Sequence, residues 1–146
     1  MRQDTLHLTL AFIGDVPRDQ LSSLIPVGDG IGPAAFTLSL DRVAAWRHNR
    51  IVWAGAERVP EALAGLVERL NAALADAGFP VEQRKFAPHV TLIRKADGDF
   101  PRRDIVPPIH WPVRGFSLME SMRNEEGARY VPLRTWFASD PPSRKD

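Results

Sequence analysis

The chain has 146 residues, of which 44% are hydrophobic and 25% charged, a balance typical of one soluble globular domain. It contains no cysteine, which excludes disulfides and thiolate metal sites, and no apolar run near the roughly 20 residues that span a bilayer. The net charge of +1 and the absence of an apolar signal-peptide core favour a cytoplasmic protein that neither coats long nucleic acids nor contacts membranes.

The first predicted element is a strand over residues 6–14, LHLTLAFIG. Leu8 and Leu10 alternate with His7 and Thr9, and a period of two is typical of a strand with one face on a core. The opposite face therefore presents an imidazole and a hydroxyl side by side. A turn at 14–17 follows, with Asp15 as the expected N-cap of a short helix from Pro17 to about Leu24.

The rest of the chain favours an α+β fold with antiparallel sheet. Residues 26–33 are rich in Gly and Pro and predict a loop. A helix is predicted around Leu63–Leu74, with Pro60 in its first turn and Gly78 at its C-terminal end. Strands are predicted at 36–40, 50–55, 88–94, 111–121 and 128–138, with a polar loop at 95–104 and a turn at 124–127. We expect a single domain over 1–139 and a disordered tail at 140–146.

The arrangement of the first strand recurs later in the chain. His7-Leu8-Thr9-Leu10 (the first motif) is matched by His89-Val90-Thr91-Leu92 (the second motif). In a strand, residues i and i+2 lie on one side, about 7 Å apart, so each motif presents one imidazole and one hydroxyl. One copy would be weak evidence, because a lone histidine is usually a surface or core residue. Two copies among only four histidines are far more specific.

If the two motif strands lie side by side, two histidines and two threonines converge on one groove. This set suits phosphodiester cleavage, because one neutral imidazole can remove a proton while a protonated one donates to the departing oxygen. Threonine hydroxyls can stabilise the non-bridging phosphate oxygens. Neither motif has a second His, Asp or Glu at ligand spacing, so we expect no metal and no cofactor.

The remaining candidates have weaker context. We expect structural or surface roles for His48 and His110. Trp46 and Trp53 are expected in core packing, with base stacking as the alternative for Trp46 because it precedes a basic loop. The basic pairs at 84–85, 94–95 and 102–103 are expected on the solvated surface, although any of them can supply a local phosphate contact.

Nearly the whole chain resembles the RNA 2′,3′-cyclic phosphodiesterases, formerly called 2′–5′ RNA ligases, of the 2H phosphoesterase superfamily. The resemblance is carried by the two motifs, by the strand pair FTLSLDRVAAWRHNRIVWAG and by the closing segment GFSLMESMRNEEGARYVPLRTW. The resemblance implies a bilobal fold in which two antiparallel sheets, related by pseudo-twofold symmetry, flank a central cleft. It also implies metal-independent hydrolysis of a 2′,3′-cyclic phosphate, on RNA 3′ ends or small nucleotides, to a 2′-phosphomonoester. No obligate protein partner is implied.

The same resemblance assigns roles to single residues. It makes His7 the proton donor to the leaving 3′ oxygen and His89 the proton acceptor. It makes Thr9 and Thr91 phosphate ligands, adds Arg94 as a further phosphate contact, and places Phe12 beside the base. Strict alternation opposes the assignments of Phe12 and Arg94, because it puts them on the face away from the histidines. They reach the cleft only where the strands end, twist or bulge.

Two alternatives stay open at this point. One is a catalytically weak domain that binds RNA ends or nucleotides, and the other is 2′–5′ ligation as the reverse reaction. Family members usually carry a strand and a helix ahead of the first motif, whereas this sequence begins almost at that motif. Either the start site is misplaced, or the fold lacks that strand and helix, which would leave the lobe around His7 less covered.

Overall fold

Two antiparallel sheets and two α-helices make up the fold, in a computed structural model that describes residues 3–125 and 127–138. The helices are α1 (Leu21–Ile31) and α2 (Glu61–Asp76), and short 3₁₀ turns occupy Gln3–Thr5 and Arg18–Gln20. The strands are β1 (Phe36–Trp46), β2 (Ile51–Gly55), β3 (His89–Ile93), β4 (Arg103–Val113), β5 (Gly115–Asn124) and β6 (Gly127–Phe137). The expected α+β architecture with two antiparallel sheets is confirmed. The tail predicted at 140–146 lies outside the described residues.

The larger sheet has the strand order β3-β2-β1-β4, and the smaller one pairs β5 with β6. Leu38 and Leu40 of β1 pack against Leu63 and Val67 of α2, which forms the first core cluster. The second cluster joins Leu24 of α1, Leu74 at the end of α2 and Phe79. The predicted α2 is confirmed, and Gly78 follows its end with φ 89°. Within the described residues, neither helix has the length and apolarity to cross a membrane.

The predicted first strand over residues 6–14 is wrong as a continuous strand. The segment makes one isolated antiparallel bridge, between Leu8 and Val90 of β3, and it bends at Leu10. Leu8 and Leu10 pack on the first core cluster, whereas Ala11 and Ile13 pack on the second. The segment therefore passes from one core cluster to the other. Its side chains cannot alternate between core and solvent along the whole segment, as they would in a strand of one sheet.

The predicted loop at 26–33 is also wrong, because α1 continues through Pro26 and ends only before Gly32, whose φ is 72°. The predicted N-cap at Asp15 is not found either. The helical path begins with the 3₁₀ turn after Pro17, and no side-chain hydrogen bond caps it. A helix rich in glycine and proline gains its stability from packing rather than from intrinsic propensity.

That packing centres on Gly28, which is buried against the indole of Trp136 on β6. The Trp136 Nε1–H donates to Oδ1 of Asp29 at 2.8 Å, and Arg134 lies 3.7 Å from the same carboxylate. The missing side chain at Gly28 thus makes room for a tertiary contact that joins α1 to the smaller sheet. Composition alone marks this glycine as a loop residue, and only the contact with Trp136 shows otherwise.

β4 was not predicted as an element of its own: residues 103–104 fell in the predicted polar loop, and residues 111–113 in the strand predicted at 111–121. It contains three prolines. It lies at the edge of the larger sheet, where a proline without an N–H is tolerated. The pairing of β4 with β1 shifts register: Leu40 faces Ile109, but Arg42 faces Asp104. Pro107 and Pro108 therefore lie in the bulged part of β4. The strand predicted at 111–121 is in fact the end of β4 and the start of β5, separated at Arg114.

The contact at Gly28 leads to a stability prediction. Gly28→Ala should lower the free energy of unfolding by about 1–3 kcal/mol, because the added methyl group overlaps the Trp136 ring. Gly30→Ala, in the same helix but with open space around its new methyl group, should instead raise it by about 0.5–1 kcal/mol. Urea denaturation of both variants measures the difference. Equal effects of the two substitutions would contradict the packing described for Trp136.

Candidate active site

The bridge between Leu8 and Val90 brings the two motifs together. It is antiparallel, so His7 lies across from Thr91 and Thr9 lies across from His89. Since side chains alternate, all four point to the side opposite Leu8 and Val90. In such a pair, directly opposed Cβ atoms are about 4.5–5.5 Å apart and diagonal ones about 7–8 Å. The two imidazoles are thus diagonal neighbours on one face.

Both imidazole rings are held by the same local hydrogen bond. His7 Nδ1 lies 2.7 Å from the carbonyl oxygen of Thr5, and His89 Nδ1 lies 3.0 Å from that of Ala87. A carbonyl oxygen only accepts hydrogen bonds, so Nδ1 must carry the proton in each ring. Nε2 is therefore the nitrogen without a proton in each neutral ring. The bond at Nδ1 fixes the orientation of the ring.

Each histidine also contacts an aromatic ring from a different hairpin. Tyr130 on β6 lies against His7 with ring centroids 4.5 Å apart at 54°, and Trp46 at the end of β1 meets His89 at 4.7 Å and 74°. Each motif histidine is thus flanked by one aromatic ring. Sequence analysis missed the role of Tyr130. The available signal was weak, since it is the single tyrosine of the chain on a predicted closing strand.

The two threonines differ in their surroundings. Thr91 belongs to the β3 ladder, where it pairs with Trp53 of β2, and it is buried. Thr9 lies beside the single bridge and is exposed. The second motif is accordingly part of a continuous sheet, whereas the first is attached to that sheet at one point.

Phe12 and Arg94 occupy the same place in the two motifs, five residues after the histidine. Both motifs lose strict alternation at their leucine: the chain bends at Leu10, and the pairing of β2 with β3 shifts register at Leu92. The alternation argument against Phe12 and Arg94 therefore no longer applies. Phe12 is 72% exposed, and Arg94 lies in an exposed bend just beyond β3. Their roles stay predictions.

The other two histidines lie elsewhere. His48 is in the exposed turn after β1, with its ring 6.4 Å from that of Trp46. His110 lies on β4, at the sheet edge opposite β3, with Nδ1 2.9 Å from Ser39 Oγ. Across residues 3–125 and 127–138, no three His, Asp or Glu side chains form a group that could hold a metal ion.

The fold and the site together define the class of this protein. It is an α+β protein with two sheets and a pair of His-x-Thr motifs. The family described as LigT like Phosphoesterase matches residues 1–53 and 55–130. The chain belongs to this family of LigT-like phosphoesterases.

Named relatives agree with this assignment. The RNA 2′,3′-cyclic phosphodiesterase of Escherichia coli K12 is 36% identical over 136 residues, which cover 91% of this chain and 76% of that protein. The protein of the same name from Thermus thermophilus is 32% identical, over 88% of this chain and 69% of its own. The crystal structure of E. coli LigT complexed with 3′-AMP superposes with a TM-score of 0.85 at 33% identity, over 94% of this chain and 79% of that one.

The hydrogen bonds at Nδ1 predict the tautomers of both motif histidines. At a pH where the imidazoles are neutral, long-range ¹H–¹⁵N spectra should show the proton on Nδ1 of His7 and of His89, because Thr5 and Ala87 offer only acceptors there. His48, in a solvent-exposed turn, is the internal reference. A proton on Nε2 of either motif histidine would contradict the geometry described above.

Proposed function

We propose that this chain hydrolyses the 2′,3′-cyclic phosphate of RNA 3′ ends or small nucleotides to a 2′-phosphomonoester, by a metal-independent mechanism that uses two histidines. The observation that carries the proposal is the register at Leu8 and Val90, which sets the two imidazoles diagonally across from each other on one face. Both rings are bonded through Nδ1, which leaves both Nε2 atoms for proton transfer. A site that only binds phosphate has no need of two such nitrogens.

In the proposed reaction, His89 Nε2 removes a proton from water as the water oxygen bonds to phosphorus. His7 Nε2, protonated at the start, donates its proton to the 3′ oxygen as the bond between phosphorus and that oxygen breaks. The 2′ oxygen keeps the phosphate. Exchange of protons with solvent then restores both rings. Opposed positions for acid and base fit an in-line displacement, in which the attacking and leaving oxygens lie on opposite sides of phosphorus.

The hydroxyls of Thr9 and Thr91 are proposed to donate to the non-bridging oxygens, where negative charge must be stabilised. Each threonine lies across from the histidine of the other motif, so each end of the site combines a proposed proton-transfer group with a donor. Arg94 is proposed as an additional phosphate contact and Phe12 as the neighbour of the base. The names of the E. coli and T. thermophilus relatives support the assignment of the substrate class.

Loss of either motif histidine should abolish turnover without unfolding the protein. His7→Ala and His89→Ala should each lower kcat for 2′,3′-cyclic AMP by at least the roughly 100-fold expected for a general acid or base. The double variant should be little slower than the slower single variant, because the two groups act as a unit. The product, separated by chromatography, should be the 2′-monophosphate.

His110→Ala is the matched control, since it removes the same side chain from the far edge of the sheet. Thr9→Val and Thr91→Val should lose less activity than the histidine variants, by weakening the hold on phosphate. The wild-type pH–rate profile should be bell-shaped, because one imidazole must be protonated and the other neutral. Nucleotide affinity with negligible turnover would favour the binding-domain alternative.

Activity should not depend on a divalent ion, because the two motifs are proposed to supply acid, base and phosphate donors themselves. Dialysis against EDTA should leave kcat/KM for the cyclic nucleotide unchanged, measured beside a sample to which Mg²⁺ or Mn²⁺ is returned. If the chelator abolishes hydrolysis and a divalent ion restores it, the two-histidine mechanism must be given up.

A further inference from the structure

A groove of about 420 Å³ adjoins the candidate active site on the His89 side. It opens between the turn after β1 and the loop that follows β3, and its walls include Trp46, Arg47, Arg50, Phe100 and Pro101. None of the motif residues lines it. Its volume is within the roughly 300–1,000 Å³ of small-molecule sites.

Trp46 is the wall that the groove shares with the active site. Its ring meets the His89 imidazole edge-on at 4.7 Å, and it is braced by Trp53 at 5.2 Å. Phe100, which is 41% exposed, offers a second aromatic surface in the groove. Trp46 and Phe100 are partly exposed aromatic rings, and Trp46 directly contacts His89 of the proposed phosphate site. Such rings are suited to stacking a base.

The backbone holds the two sides of the groove in fixed positions. Arg50 and Lys95 both have φ of 55°, a left-handed conformation that is uncommon for residues other than glycine. The Ala96 N–H donates to the carbonyl oxygen of Arg50 at 2.9 Å and joins the two segments there. Left-handed non-glycine residues concentrate at ligand-binding sites, where the surroundings maintain them.

The charges in the groove consist of two exposed ion pairs. Arg47 lies 3.6 Å from Asp99, and Arg50 lies 3.4 Å from Asp97. All four side chains are more than half exposed, and surface pairs of this kind contribute little to stability. An arriving phosphate can therefore replace either carboxylate as the partner of the guanidinium, in a stronger bidentate contact. The two aspartates then act as competitors of that phosphate.

We propose that this groove binds a second nucleotide of RNA, with its base against Trp46 and Phe100 and its phosphate on Arg47 and Arg50. The inference rests on the proposed function and extends it, since it makes oligonucleotides better substrates than mononucleotides. That nucleotide comes either from the strand that carries the cyclic phosphate or from a second strand. The chemistry recognised in the groove is the same in both cases.

The first measurement is kcat/KM for a trinucleotide ending in a 2′,3′-cyclic phosphate, divided by kcat/KM for 2′,3′-cyclic AMP. We expect this ratio to be at least about five, as one stacked base would give. Phe100→Ala, Trp46→Leu and the double change Arg47→Ala with Arg50→Ala should each reduce the ratio. Asp97→Asn with Asp99→Asn should increase it, because both arginines lose a competing anion. Arg69→Ala, an exposed arginine on α2, is the matched control.

The second measurement is fluorescence anisotropy of a labelled 5′-hydroxyl trinucleotide without a cyclic phosphate, which needs no turnover. Binding that weakens in the arginine variant and strengthens in the aspartate variant supports the groove. If the kcat/KM ratio responds as well, the nucleotide belongs to the strand that carries the cyclic phosphate, and if it does not, the nucleotide comes from a second strand. Such binding should also lose part of its salt dependence when the arginines are removed. If neither the ratio nor the anisotropy responds to these variants, the groove proposal is overturned. Absence of hydrolysis on both substrates would overturn the proposed function instead, and the anisotropy would still test the groove.

Discussion

The antiparallel bridge between Leu8 and Val90 is the contact on which the candidate site depends. It is a single backbone pairing, yet it determines which side chain of the first motif lies across from which side chain of the second. A slip of one residue would turn His7 and Thr9 toward the core and Leu8 toward solvent, because side chains alternate along an extended chain. Packing of Leu8 and Leu10 on the core formed by β1 and α2 opposes that slip. The register of the site is therefore maintained by hydrophobic burial on the opposite side of the same segment.

The surroundings of the two imidazoles share two contacts and differ in a third feature. Both rings donate the Nδ1–H to a carbonyl oxygen two residues earlier, and both contact an aromatic ring from a neighbouring hairpin. They differ in what lies beyond that ring. Trp46 separates His89 from an open groove, while Tyr130 belongs to the two-stranded sheet. Equivalent hydrogen bonds leave Nε2 as the unprotonated nitrogen of each neutral ring, and the two rings differ in what flanks them.

Several errors of prediction have one physical origin, which is that tertiary packing overrides local pattern. Residues 6–14 alternate like a strand, but the segment serves two cores and bends at Leu10 between them. Gly28 has the composition of a loop, but it lies inside α1 because an indole from β6 occupies the space of its missing side chain. Most of β4 was not predicted, and its prolines are tolerated by an edge position and a bulge. In each case the deciding partner is distant in sequence.

The sequence by itself determined the two His-x-Thr motifs, the fold class, the helix α2 and the strands β1, β2 and β3, because these follow from local periodicity and from residue types. It also indicated that His7, Thr9, His89 and Thr91 form one set, since the pattern occurs twice. Only the tertiary structure decided that the motifs meet through one bridge, and that Tyr130 and Trp46 flank them. It likewise decided that both motifs break alternation at their leucine, which removes the objection to Phe12 and Arg94. Bridges, bulges and aromatic contacts depend on residues far apart in the chain, and a local pattern carries no information about their distance in space.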